Sequence, residues 1–458
     1  MKKSLLLLAL LVTAGSNATA QVSSSPSPQQ TPQTEVDKAL AKLTEPVAVE
    51  QIALRYRQAK DVENEARAWK RLVELRPHRG HYKYELAALY AQRDEKSLAY
   101  NALLELQAQG YAYDLQKDAR FAPVATTEAW EYIVKGYDAN RAPFGEGKVA
   151  HTLPKQDLLI ESLAWDPTRK RLLVGSAREG SVSIVDDKGG LKRLVRADAD
   201  NGLWAVFDVA VDAQRGVLWV ASTAVPHFKG YKAESDLGRA GVFKFDLKTG
   251  KFLKRFLSPT IVGQSFFMSS LAVAPDGTVF AADGVNNAVY MIRDDQLKRL
   301  FHVPVLGSIR GMTVSDDGRV LYFADHERGL FGFELASGKP FEVAVPPKLA
   351  LGGIDGLTYW RKQLVIVQSD MVPRRIMRLK LAPDGRSIVG VQPLEANRPE
   401  LSLPTFATRD GDRLLVLANS QKANYDRFGL LRDRNKLEAT RIFALDLNFG
   451  QAEAAKPE

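Results

Sequence analysis

Two carboxylates and one guanidinium stand at equivalent points of three strand-like runs. Glu161 opens "ESLAWDPTRKRLLVGSA", Asp355 opens "DGLTYWRKQLVIVQS" and Arg310 opens "RGMTVSDDGRVLYFAD". Two acids that converge in space can hold a hard divalent cation or exchange protons with a substrate. A guanidinium cannot ligate a cation, because it is permanently charged and has no lone pair to give. Placed between the acids it would repel a cation, and the more economical arrangement has Arg310 bridging Glu161 and Asp355. Ser269, at the head of a fourth run, adds a hydroxyl. His227 lies in a long insertion and His326 follows a strand, and either could reach the same place, although a lone histidine is more often a polar loop residue. The chain has no cysteine, which removes disulfides, thiolate metal sites and cysteine nucleophiles. It shows no GxSxG elbow, no Walker-type loop and no zincin helix.

The elements that bring these residues together are read from residue 150 onward. Six runs share one pattern: a strand, a tight turn rich in Asp, Gly, Lys or Arg, then a second strand of Leu, Val, Trp or Phe. A third strand comes after each, as in "GSVSIVD", "GVFKFDL" and "GLFGFEL". The runs begin near residues 161, 207, 269, 310, 355 and 404, with spacings of 46, 62, 41, 45 and 49. Four-stranded units at that interval predict the blades of a six-bladed β-propeller over 150–450. The spacing of 62 contains an insertion, "TAVPHFKGYKAESDLGR", expected to lie over one face. First strands line a propeller's central channel, so Glu161, Phe207, Ser269, Arg310, Asp355 and Pro404 are expected around its mouth. Asp-Gly pairs at Asp276, Asp317, Asp384 and Asp410 read as hairpin turns, not calcium loops. Trp165, Trp204, Trp219 and Tyr359 read as packing between blades.

A glutamate opening the first blade before "AWD", with "DGLTY" in the fifth, resembles the senescence marker protein/gluconolactonase (regucalcin-like) propellers. The resemblance covers about 300 residues, and two of its motif positions are specific. It implies that Glu161 and Asp355 are ligands of Ca²⁺, Mn²⁺ or Mg²⁺, with Asp355 able to double as general base in hydrolysis of a sugar lactone or related ester. The family's third ligand is an asparagine in blade four, where this chain has Arg310, and its blade-three asparagine is Ser269 here.

Before the propeller the pattern is different. Lys2-Lys3, the apolar run Leu5 to Val12 and Ala18-Thr19-Ala20 form a signal peptide over 1–20. A Ser/Pro/Gln linker occupies 21–34. Ile52, Ala53 and Tyr56 recur 34 residues later as Leu86, Ala87 and Tyr90, which reads as a tetratricopeptide-like helical domain over 35–140. Two such repeats are few for independent stability, so this domain is expected to pack on the propeller. Residues 451–458 read as a disordered tail. The formal charge is +9, with acids and bases interspersed and no basic stripe, which argues against nucleic acid as a partner.

The fold class is therefore multidomain: a helical repeat followed by an all-β six-bladed propeller. The first functional reading is an exported protein, periplasmic or secreted, with no membrane span after signal cleavage. Its helical repeats would dock a protein partner, and its channel mouth would take a small polar or anionic ligand, with no cofactor expected. The rival reading is a metal-dependent lactone hydrolase of the gluconolactonase type.

Overall fold

The protein is described by a computed structural model covering residues 34–451. The expected signal peptide, the linker to residue 33 and the tail from 452 lie outside the described residues. Among those described, no helix is long and apolar enough to cross a membrane.

Six helices come first: α1 (Glu35–Ala41), α2 (Pro46–Gln58), α3 (Val62–Leu75), α4 (Gly80–Gln92), α5 (Lys96–Ala108) and α6 (Glu128–Arg141). The pair α2/α3 returns as α4/α5, with both starts displaced by 34 residues. Thr34, Asp61 and Thr127 cap their helices by accepting from orphan backbone N–H groups. Ala53, Ala68, Ala87 and Ala91 are fully buried, and their small side chains let the helices approach closely. Two buried acids, Glu65 and Glu85, are each paired with Arg57 at 2.6 Å, and Arg120 adds a second cation to Glu85. Paired in this way, charges can persist in a helical core.

The rest is the six-bladed propeller. The strand β1 (Lys148–Thr152) is followed by blade one, β2–β5 (160–196), and blade two, β6–β9 (205–257). Blade three is β10–β13 (268–302), blade four β14–β17 (309–342) and blade five β18–β21 (354–396). The last three strands, β22–β24 (407–446), recruit β1 as their outer edge, so each blade is a four-stranded antiparallel sheet. Apolar side chains of adjacent blades fill the seams, with Phe243, Phe280, Phe323 and Phe443 fully buried.

Inner strands have one edge without a ladder partner, and their N–H groups need other acceptors. Side chains of the neighbouring blade supply them: Asp208 accepts from Leu271, Thr408 from Trp165 and Thr313 from Tyr359. The six inner strands enclose a cavity of about 590 Å³ that reaches Asp208 and Asp355.

The helical region sits on blades four and five. Ala350 and Met371 join its apolar core, and Ala112 N–H donates to Val372 O at 2.8 Å. Arg76 and Arg79 both bind Glu327, at 2.7 and 2.9 Å. The buried guanidinium of Arg375 reaches Gln109 O at 2.7 Å. These contacts match the expectation that the helices pack on the propeller.

Candidate functional site at the channel mouth

Five blades open with the same irregularity. The pairing of the first two strands skips Glu161, Phe207, Ser269 and Asp355, and in blade four it skips Arg310 with Gly311. A bulged residue leaves the ladder and its side chain is re-aimed. The positions aligned from sequence are thus the bulges of the inner strands. In blade six, Pro404 takes this place, with Thr405 N–H bonded to Leu417 O.

Asp355 is buried and is the hub. Its Oδ2 accepts from the Ser369 hydroxyl and lies 3.7 Å from Lys422 Nζ. Its Oδ1 lies 3.9 Å from Arg310 Nη1 and 4.0 Å from His326 Nε2. Burial holds the His326 imidazole below its usual range, against the pull of Asp355. A tight loop sets this geometry. Gly353, at φ 71°, bonds His326 O and Ser369 N–H, and a Cβ there would stand 2.9 Å from the Asp370 backbone.

Glu161 is buried too, and its Oε1 accepts from the Ser420 hydroxyl. Burial pushes its carboxyl up to about 7, further raised by Asp355 and opposed by Lys422, Ser420 and Arg310. Its protonated and ionised forms are therefore both populated near neutral pH.

The expected bridge does not form. Arg310 leans on Asp355 alone, and its Nε donates to Ser308 Oγ at 3.0 Å. Among the described residues no ion pair reaches Glu161. Asp325 explains the tilt: its carboxylate accepts from the N–H groups of Gly307, Ser308, Glu327 and Arg328, fixing the loop that carries Ser308 beside Arg310. Ser269 turns to the seam between blades, donating to Ile309 O at 3.1 Å. His227 stands on the rim, where its carbonyl accepts from Arg178 and its ring lies 6.3 Å from Tyr425, away from Asp355.

Sequence reasoning missed Ser420 and Lys422. Both come from a loop over 418–440, between the second and third strands of blade six. The interval from Leu417 to Arg441 exceeds the blade-two insertion, and that length was the available signal. Arg178 anchors the loop by donating to Gly429 O, and Tyr425 anchors it through Asp157.

The resemblance to regucalcin-like propellers implies a divalent cation here. The groups around Asp355 do not fit one. Two side chains with positive charge, Arg310 and Lys422, face the carboxylate where oxygen donors would be needed. Among the described residues no three His, Asp or Glu side chains gather to share an ion.

No family model and no curated protein matches the chain. Among solved structures it is similar to a gluconolactonase of Xanthomonas campestris, at 16% identity and a TM-score of 0.44, over 67% of this chain and 92% of that one. It is also similar to the PQQ-bound aldose sugar dehydrogenase of Streptomyces coelicolor, at 16% identity and a TM-score of 0.42, over 67% of this chain and 99% of that one.

Proposed function

We propose that this is an exported protein whose propeller mouth binds a small polar or anionic ligand. One observation carries the reading. Arg310 and Lys422 are 44% and 42% exposed above two buried carboxyls, and neither is in direct hydrogen-bond contact with them. A ligand arriving at the mouth therefore meets positive charge with unspent N–H donors. Calorimetric titration with acetate and gluconate tests this. Binding is expected for the wild type and a loss of at least about tenfold for R310Q/K422Q, equivalent to 1.4 kcal/mol. Unchanged affinity in the double variant would overturn it. Export rests on residues 1–20, and a precursor that stays full length in a secreting host would remove it. The helical region is read as the module that docks a protein partner, because stacked helix pairs present an extended surface. Its exposed Tyr132 supplies a probe: Y132E should abolish co-purification of that partner.

A second reading, hydrolysis of a sugar lactone or related ester, is favoured by Glu161. A carboxyl near 7 can take a proton from attacking water and return it to the leaving ring oxygen, while the two cations stabilise the developing oxyanion. The motif positions Glu161 and Asp355 agree with it. Proton release from δ-gluconolactone, followed in a pH-stat, should depend on a group near pH 7 and disappear in E161Q. A rate that requires an added divalent cation would contradict this metal-free form.

A further inference from the structure

The mouth has two chemically different sides. Glu161, Arg310 and Asp355 occupy the bulges of blades one, four and five, with Lys422 above them. The bulge of blade two holds Phe207 instead. In a ring of six, blade two stands opposite blade five, so Phe207 faces Asp355 across the channel.

Phe207 does not stand alone. Its ring packs on Phe267, with centroids 4.6 Å apart and planes at 48°. Phe267 enters blade three two residues before the bulge at Ser269, and both rings are partly exposed. Tyr425 backs this wall from a small apolar group with Leu159, Ala177 and Ala205, against which Phe207 packs. Its hydroxyl donates to Asp157 and so leaves the wall apolar.

A bulged residue has no part in the ladder, and of the equivalent positions in the other five blades four hold two acids, a hydroxyl and a guanidinium, with Pro404 in the fifth. Ring packing in the seams is already supplied by deeper phenylalanines. An aromatic pair kept partly wet beside a charged cluster gains from apolar surface only when something covers it.

We infer that the ligand carries an apolar ring as well as an anionic group: an aryl- or cycloalkyl-carboxylate, with its ring on Phe207 and Phe267 and its charge toward Arg310 and Lys422. This rests on the reading of the mouth as a small-ligand site and narrows the ligand to an amphiphile. An open-chain sugar acid has the charge without the ring.

Calorimetry on the full chain with acetate, gluconate and phenylacetate tests it. Phenylacetate should bind at least about tenfold more tightly than acetate, the scale set by covering part of one ring. F207S, which removes the apolar surface offered to the ligand ring, should bring that ratio close to one. Equal affinities in the wild type overturn the inference and leave the small-anion reading standing. A folded F207S that keeps the ratio overturns the inference equally. Absence of binding by all three probes overturns both. The wild-type comparison needs no variant, so a poorly folding F207S does not block the decision.

Discussion

Glu161 at the mouth and Asp208, one blade on and one residue past the bulge, are both pushed up to about 7 by burial. Their surroundings differ. Asp208 accepts from Val209 N–H at 2.8 Å, from Leu271 N–H at 2.7 Å and from Ser270, and no charged group is among the causes of its shift. Glu161 has one hydroxyl donor and feels Lys422, Asp355 and Arg310. The first acid ties two blades together, while the second is held loosely among charges that a ligand could reach. A raised carboxyl by itself therefore does not mark a working site. What distinguishes the two is whether backbone amides or charged side chains surround them.

That contrast is open to attack at several points. Asp208→Ala orphans two buried N–H groups and should cost about 3 kcal/mol in urea unfolding, against about 1 kcal/mol for Glu161→Ala. Equal losses would erase the distinction.

Both acids bind their proton more tightly in the folded chain than in the unfolded one. Their stabilisation is complete below about pH 4 and is lost as pH rises through about 7. D208N and E161Q should each flatten this fall, by up to about 4 and about 3 kcal/mol respectively. A variant whose stability–pH curve parallels the wild type would show that its acid is not protonated in the folded state.

Lys422→Met removes the leading opponent of the Glu161 shift, so the Glu161 midpoint should climb above 7 and that of Asp208 should not move. Carboxyl NMR titration distinguishes them.

The smallest effect belongs to Arg310→Asn. A pair at 3.9 Å with a 44% exposed guanidinium should be worth no more than about 1 kcal/mol. A larger loss would restore the bridged arrangement.

The blade pattern made the ring and its six mouth positions legible, because strand alternation and turn residues are local properties. The same pattern marked the insertion of blade two. Side-chain aim was not legible. Whether Arg310 bridges two acids depends on Asp325, which fixes the loop bearing Ser308, and that is a contact between strand ends, not a spacing. Ser269 donates to Ile309 O of the next blade, a partner no spacing in the sequence marks. Lys422 escaped because the alignment tracked first strands, and its loop leaves from a second. The outer strand of blade six was also hidden, since its partner residues 148–152 precede blade one.

That borrowed strand has a consequence for biogenesis. The segment 148–152 emerges before every other strand of the propeller and can complete its sheet only when residues 441–446, the last strand of the ring, have been made. Until then the ring is an open arc with an unsatisfied edge at each extremity, prone to pairing with other chains. Closure thus waits for the last strand, and a chain in which residues 441–446 are deleted should accumulate as an aggregate instead of a monomer with an unfinished last blade.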